Sequence, residues 1–135
     1  MSALLVKQAL EIALAGILPA LPTAWRNVDF LPPVDGGPWQ RADVMFAEPF
    51  DLDLGSDSHR EQGVFQISLF YPLSQGEQLA LSRVELIRAL FHKGAEFTNG
   101  GVRVIIERTP EASNGLPDGT HWLQPVKIRF YSNIS

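Results

Sequence analysis

The chain has 135 residues, of which 45% are hydrophobic and 19% are charged, and its formal net charge is -4. Chains of this size and composition bury about two-thirds of their unfolded surface in one core, so we expect a single domain spanning residues 1–135. A negative net charge disfavours tight binding to nucleic-acid phosphates. The absence of cysteine excludes a disulfide framework, a thiol nucleophile and a thiolate metal site.

The first patterned segment is the apolar stretch over residues 2–24. Glu11 lies in its middle, which argues against a signal peptide or a membrane-spanning helix and favours a helix of a globular domain. Ser2 is the predicted N-cap and Pro19 the stop. Lys7 lies four residues before Glu11, on the predicted solvent side. The predicted core stripe comprises Leu5, Ala9, Ile12 and Gly16, widened by Leu10, Leu14 and Ile17.

Prolines and glycines interrupt the chain after this helix. They leave room for a short strand over about residues 24–28, a loop, and a second strand over about residues 39–47. Residues 48–61 then form a long acidic segment that is too polar and too interrupted for the core. Long loops in compact domains often contact a partner, so this segment is a candidate for interaction.

The segment HREQGVFQISLFYPLSQGE, residues 59–77, combines a strand with the start of a helix. Aromatic and branched side chains over residues 64–71 suit a pleated, partly buried surface and predict a strand. Pro72 ends this strand because proline has no amide proton to donate to the next ladder bond. A tight connection between the strand and the following helix is the result.

The second predicted helix starts beyond that proline. Ser74 and Glu77 have the spacing of a capping box, so we expect a helix over about residues 76–93. Gly94 follows as the predicted C-cap. The predicted core face of this second helix comprises Ala80, Val84, Ile87 and Phe91, with Leu86 and Leu90 beside it.

The last third of the sequence has the alternation of strands with one buried face. Apolar and charged residues alternate over residues 102–107 and again over residues 126–131, and a turn-rich segment joins the two. Helix, strands, helix and strands in this order favour an α+β fold. We predict an antiparallel sheet of four to five strands, with the N-terminal helix and the second helix packed on one face.

Carboxylates in the acidic segment are the strongest suggestion of a metal site, because hard oxygen ligands suit calcium. An EF-hand loop that begins at Asp51 requires glycine at its sixth position and glutamate at its twelfth, where this chain has Ser56 and Gln62. A solvated acidic loop is therefore the preferred interpretation of Asp51, Asp53 and Asp57.

The histidines indicate no better site. His59, His92 and His121 are far apart in the sequence and lack the spacing of a zinc motif. His92 lies in the last turn of the second predicted helix, where a partly positive side chain suits the helix dipole. The sequence also has no nucleophile elbow. We therefore predict a protein that is not an enzyme and holds no cofactor or metal.

Several segments stand in a recognisable order along the chain. After the N-terminal helix come AWRNVDFLPP, the strand from Arg60 to Pro72, and Gly76 at the second helix. LFHKGAEF, GVRVIIERTP and QPVKIRFYS follow. In this order and spacing the chain resembles, almost end to end, the tail terminator proteins of tailed bacteriophages. No single motif among them is chemically diagnostic.

The resemblance implies assembly instead of catalysis. It implies a structural virion protein that forms a homohexameric ring at the head-proximal end of the tail tube, stops tube polymerisation and joins the tail to head-completion or connector proteins. The implied partners are other copies of the chain, the tail tube protein and a connector protein, without a membrane. Assembly would take place in the host cytoplasm, and DNA would pass through the channel without specific binding.

Charged residues are the predicted elements of the subunit interface or the channel wall. A net charge of -4 favours an acidic channel that repels phosphates. Net charge does not show where the individual charges lie, so two alternatives remain. Arginines that include Arg103 could face the channel, or arginines could pair with the acidic loop of a neighbouring subunit. The candidate residues are Asp51, Asp53, Asp57, Arg60, Arg26 and Arg41.

Three other functions stay open at this point. A tail-tube or other neck-ring subunit would share the architecture and would stack into tubes. A small metal-dependent hydrolase would use the acidic cluster and His59. A monomeric binding module would form no ring at all.

Overall fold

The computed structural model of the protein describes residues 2–52 and 58–134. Two helices and nine strands in these residues form an α+β fold, which confirms the predicted class. In chain order they are α1 (Ser2–Ala15), β1 (Thr23–Trp25), β2 (Trp39–Phe46), β3 (Phe50–Asp51), β4 (His59–Pro72), α2 (Gln78–Leu90), β5 (Glu96–Asn99), β6 (Val102–Ile106), β7 (Glu111–Ala112), β8 (Leu116–Asp118) and β9 (His121–Ile134).

The sheet differs from the predicted antiparallel sheet of four to five strands. Its main path runs β1-β2-β4-β9-β6-β5, and the short strands β3, β7 and β8 pair with β4 or β9 outside this path. β1 pairs with β2 in parallel, whereas the other pairs are antiparallel, so the sheet is mixed. The additional strands are two to four residues long. Segments this short cannot show a period-two alternation, which is why the sequence pattern missed them.

The centre of the sheet is the antiparallel pair of β4 and β9. These strands have 14 residues each and stay in continuous register from His59 opposite Ile134 to Pro72 opposite His121. At about 3.3 Å per residue, the pair is about 45 Å long. On its other edge β9 pairs in turn with β8, β7 and β6. Both strands extend well beyond the segments 64–71 and 126–131 that the sequence predicted.

Helix α1 packs on the sheet with part of the predicted face. Leu10 and Leu14 are buried as predicted, whereas Ile12 of the predicted stripe is 66% exposed and Val6, which was not predicted, is buried. Apolar residues occur on every side of this helix, so periodicity alone does not decide which side faces the sheet. The ion pair between Lys7 and Glu11 lies on the more polar side, as predicted, with Nζ and Oε2 2.7 Å apart.

Helix α2 buries the predicted face. Phe91, which follows its last residue, is fully buried, and its ring centroid lies 5.8 Å from that of Phe65 on β4. Leu86 is 41% exposed, so it lies on the solvent side of the helix. The buried predicted residues are Ala80, Val84, Ile87 and Phe91. Both helices share one core with β4, β6 and β9, so they pack on the same face of the sheet.

The predicted capping box and C-cap of α2 were wrong. Ser74 has a positive φ of 65° and belongs to the turn after β4, so it precedes the helix instead of capping it. Glu77 is the N-cap residue, and its side chain makes no capping hydrogen bond. The helix ends at Leu90, and Gly94, with a φ of 83°, lies in the turn that leads to β5. The prediction of a turn at Gly94 was therefore correct, whereas its assignment as the C-cap of α2 was wrong.

Candidate assembly surfaces

One face of the sheet carries both helices, and we call the opposite face the helix-free face. The alternation along β9 separates the two faces. Val126 and Ile128 are buried beneath the helices. Lys127 and Arg129, which alternate with them along β9, are exposed. Residues directly opposite one another in an antiparallel pair point to the same side, so the strand register assigns the residues of β2 and β4 to each face.

The charged side chains that the three central strands β2, β4 and β9 carry on the helix-free face are mostly basic. Asp43 of β2 is the one acidic residue that these strands place there, since it lies opposite Gln66, which lies opposite Lys127. The other acidic residue of these strands, Glu61, lies on the face that carries the helices. The basic residues of β2, β4 and β9 on the helix-free face are Arg41, Arg60, Lys127 and Arg129. The chain is acidic overall, so this face differs in charge from the rest.

Aromatic rings hold two of these arginines. The guanidinium carbon of Arg41 lies 5.4 Å from the ring centroid of Phe70, and that of Arg60 lies 4.4 Å from the ring of Tyr131. Arg60 also donates a hydrogen bond from Nε to Oδ1 of Asn133, with a length of 2.9 Å. Stacking on an aromatic face leaves the edge of a guanidinium available for a partner while restricting its motion.

The structure brings only some of the predicted site residues together. Arg41 and Arg60 share the helix-free face, but eight residues of β4 separate their positions, or about 26 Å along the strand. Arg26 lies just after β1 and donates from Nη1 to the carbonyl oxygen of Val44, with a length of 3.1 Å. Asp51 is exposed at the end of β3. Asp53 and Asp57 lie outside the described residues.

Sequence reasoning missed Lys127 and Arg129 as site candidates. The signal was present, because both occupy the polar positions of the alternating segment that predicted β9. What the sequence did not reveal is that β4 and β2 add their own arginines to the same face. Arg103, considered with the predicted arginines, forms an exposed ion pair with Glu96, with Nη1 and Oε1 3.5 Å apart.

The described residues contain no group of three or more histidine, aspartate or glutamate side chains that could hold a metal ion. His59 contacts Glu61, with Nε2 and Oε1 3.1 Å apart. His121 lies beside Thr120, whose Oγ1 is 3.0 Å from its Nδ1. His92 contacts the carbonyl oxygen of the next residue at 3.1 Å. The Nε2 atom of His121 also lies 3.2 Å from the carbonyl oxygen of Gly36. The three histidines therefore contact different groups in this part of the chain and do not form a common site.

Two exposed apolar groups lie at opposite ends of β2. The first, here the proline loop, is the connection over residues 26–38, in which Leu31 is 89% exposed and Val34 is fully exposed. The second, here the ribbon end, comprises Met45, Phe46, Phe50 and Leu52, which are all exposed. The eight residues of β2 separate the two groups by about 26 Å. Large apolar side chains grouped at a surface mark sites of protein contact.

A buried arginine beneath the connection between α1 and β1 is a further feature that the sequence did not predict. Arg83 occupies the core side of α2 and is only 3% exposed. Its Nη1 donates to the carbonyl oxygen of Pro19. Its Nε and Nη2 are buried and have no hydrogen-bond partner among the described residues. Arg83 lies three residues after Ala80 and four before Ile87, so helical spacing places it on the same buried face. This spacing was the signal in the sequence for its burial.

Burial shifts two pKa values in this region. Loss of solvent lowers the pKa of Arg83, and the nearby Tyr71 offsets part of this change. Burial raises the pKa of Tyr71, and the positive charge of Arg83 offsets part of that increase. Both shifts have desolvation as their main cause, which means that the charged form of either group lacks adequate compensation.

A family model described as phage tail terminator protein matches residues 3–130. The chain belongs to the phage tail terminator family. A solved structure with 27% sequence identity superposes on it with a TM-score of 0.80, covering 100% of this chain and 97% of that chain. No curated protein matches the chain significantly.

Membership of the terminator family confirms the resemblance seen in the sequence. The protein is a structural protein of phage tails and a component of the virion. The segments that carried the resemblance include β4 and β9, the central pair of the sheet. Neither helix in residues 2–52 and 58–134 has the length and apolar character needed to cross a membrane.

Proposed function

We propose that the protein forms a closed homohexameric ring at the head-proximal end of the tail tube, where it stops tube polymerisation and joins the tail to a connector protein. The family match over residues 3–130 is the observation that carries this proposal. The proposed partners are other copies of the chain, the tail tube protein and a head-completion protein.

A head-to-tail ring requires two different surfaces on each subunit, because each contact joins one patch to another. The proline loop and the ribbon end meet this requirement, since they lie at opposite ends of β2 and both expose large apolar side chains. We propose that the proline loop of one subunit packs against the ribbon end of the next. Each junction would remove about 1,200 to 2,000 Å² from water.

Light scattering coupled to size-exclusion chromatography tests the ring. The expected mass is about six times the 14.9 kDa of one chain, and electron microscopy should show closed rings with an open centre. Stacked tubes would identify a tail-tube subunit instead. A monomer at every concentration, with no assembly on added tube protein, would overturn the proposal.

Complementation between two variants tests the proposed junction. One variant carries Leu31→Asp and Val34→Asp in the proline loop, and the other carries Phe50→Asp at the ribbon end. Each should be monomeric alone, whereas their mixture should form a dimer through the one intact pair of surfaces. Leu79→Asp is the matched control, because Leu79 is 54% exposed on α2 and lies outside both surfaces. This variant should still form the hexameric ring. Rings formed by both single-surface variants would contradict this assignment.

We propose that duplex DNA passes through the ring without specific binding. The net charge of -4 supports this, because acidic proteins repel phosphates. The basic residues of the helix-free face oppose it, so binding must be measured. Fluorescence anisotropy with labelled duplex DNA should show only weak binding at physiological salt. Tight, salt-dependent binding that Lys127→Gln and Arg129→Gln abolish would contradict the proposal.

A further inference from the structure

The short strands β7 and β8 pair with the same part of β9, but in registers that differ by one residue. β7 ends with Ala112 opposite Val126. β8 begins with Leu116 opposite Leu123. These two residues of the short strands are four positions apart, whereas their partners on β9 are three positions apart. The connection over residues 113–115 therefore contains a β-bulge, whose extra residue stays outside the ladder of hydrogen bonds.

The bulge contains an asparagine followed by a glycine. Asn114 is exposed, and neither its side-chain amide nor the backbone N–H of Gly115 makes a hydrogen bond within the part of the chain that the structure describes. The preceding residue is held, because Ser113 donates its backbone N–H to the carbonyl oxygen of Pro125 over 3.2 Å. The side-chain amide at position 114 and the backbone nitrogen at position 115 are therefore not restrained by hydrogen bonds.

The packing of the bulge requires glycine at position 115. A Cβ atom on Gly115 would overlap the indole ring of Trp122 on β9. Because glycine has no side chain, it also leaves its own backbone nitrogen open to approach. The contact that excludes a larger residue thus keeps an unhindered nitrogen directly after Asn114.

We propose that Asn114 is a site of spontaneous deamidation, with water as the co-reactant. The backbone nitrogen of Gly115 gives its proton to hydroxide and forms a bond to Cγ of Asn114. The bond between Cγ and Nδ2 breaks, and Nδ2 takes a proton from water and leaves as ammonia, which regenerates the hydroxide. Water then opens the succinimide ring at either of its two C–N bonds. Opening at Cγ gives aspartate, and opening at the main-chain carbonyl gives isoaspartate.

Asn99 is the matched internal control, because it is the other asparagine that a glycine follows. It lies in β5 opposite Val102, and its Nδ2 donates to the carbonyl oxygen of Leu5 over 3.1 Å. This hydrogen bond holds the side-chain amide against α1 and opposes the rotation that brings Cγ to the nitrogen of Gly100. The fold therefore protects one asparagine–glycine pair and leaves the other exposed.

Deamidation changes both the charge and the backbone of the bulge. A carboxylate replaces an amide, so each altered chain becomes more acidic at neutral pH. Isoaspartate also adds a methylene group to the main chain at a position where the ladder is already interrupted. Since the subunits of a finished virion are not replaced by new synthesis, the altered form accumulates as particles age. The proposal does not depend on the ring.

Peptide mapping by mass spectrometry tests the proposal on the purified protein. Trypsin cleaves after lysine and arginine, so it releases Asn114 in the peptide of residues 109–127 and Asn99 in that of residues 94–103, with no other asparagine in either. During incubation of the folded protein at mildly alkaline pH, the first peptide should gain the mass difference between a carboxyl group and an amide. The second should stay unchanged. An unchanged first peptide would overturn the proposal.

Variants and an enzymatic assay identify the altered residue and its products. Asn114→Ser should abolish the mass change in the peptide of residues 109–127, whereas Asn99→Ser should leave that change intact. Isoaspartyl methyltransferase should methylate the incubated natural protein and should not methylate incubated Asn114→Ser. A mass change that persists in Asn114→Ser would place the reaction at Gln124, the other side-chain amide of this peptide, and would overturn the proposal.

Unfolding shows whether the structure causes the selectivity. In concentrated guanidinium chloride both peptides should change mass, because both asparagines precede glycine and neither is held by the fold. Equal rates at Asn99 and Asn114 in the folded protein would refute the role assigned to the bulge. A reaction at Asn114 only in the unfolded protein would refute it as well.

Discussion

Phe91 joins α2 to the sheet through contacts with two other aromatic rings. It is fully buried, with ring centroids 5.8 Å from Phe65 and 5.1 Å from Phe97. We expect Phe91→Ala to lower the free energy of unfolding by about 3 to 5 kcal/mol, because it removes buried area and leaves a cavity. Urea denaturation followed by circular dichroism measures this. Leu86→Ala on the exposed side of α2 is the control and should change stability by about 0.5 kcal/mol or less.

Tyr71 should make stability depend on pH in the alkaline range. Burial raises its pKa above the usual value of about 10, so the folded state retains the phenolic proton where the unfolded state has lost it. Its contribution is complete below about pH 10 and is lost as the pH rises through the folded pKa. The free energy of unfolding should therefore fall above about pH 10.

Tyr71→Phe tests this prediction, since phenylalanine has no proton to lose. Urea denaturation across the alkaline range should show a shallower decline for Tyr71→Phe than for the natural protein. Tyr131→Phe is the control, because the chain has two tyrosines and this change keeps Tyr71. An unchanged decline in Tyr71→Phe would mean that other groups cause the alkaline instability.

The absence of a side chain at Gly63 allows the two strands β2 and β4 to approach each other closely. It lies opposite Phe46, and a Cβ atom at position 63 would overlap the carbonyl oxygen of Met45. We expect Gly63→Ala to destabilise the fold by about 1 to 3 kcal/mol, because backbone atoms must move to admit the methyl group. Thermal denaturation measures the change.

Gly16→Ala provides the matched control for that substitution. A Cβ atom at Gly16 would meet its nearest neighbour, the carbonyl oxygen of Ala13, at an ordinary distance of 3.5 Å. The methyl group therefore fits without movement of the backbone. Equal losses of stability in the two variants would show that the close approach at Gly63 is not the cause.

The sequence predicted those elements whose pattern is long and unambiguous. The buried face of α2 followed from its spacing, β4 from its aromatic and branched side chains, and β9 from alternation. The face of α1 followed only in part, because apolar side chains surround that helix. The helix-free face was also beyond prediction, since residues from three strands share it only through pairing that local patterns do not encode. Neither did any local pattern reveal that two donors of Arg83 are buried without a partner among the described residues.

At the scale of the whole molecule, the acidic segment should affect assembly more than folding. Asp51 is exposed, and Asp53 and Asp57 lie outside the described residues. Replacing all three with asparagine should change the melting temperature little, because surface substitutions usually change stability by about 0.5 kcal/mol or less. Ring formation measured by light scattering should change instead.

Two acidic positions outside the proline loop and the ribbon end control for charge alone. Glu85→Gln and Asp118→Asn also reduce the negative charge at exposed sites, and they should leave ring formation unchanged. A large loss of melting temperature in the triple variant, with normal rings, would place the acidic segment in the structural core.

The pairing of β4 with β9 also has a consequence for the order of folding. Paired residues in these strands are about 50 to 75 positions apart in the sequence. Closing such long loops costs entropy before any contact compensates it, so chains dominated by distant pairings fold slowly. Until β9 arrives, one whole edge of β4 stays open to other strands. We therefore expect the newly made protein to expose the unpaired edge of β4 before β9 pairs with it, and the rate of that pairing to compete with misassembly between unfinished chains.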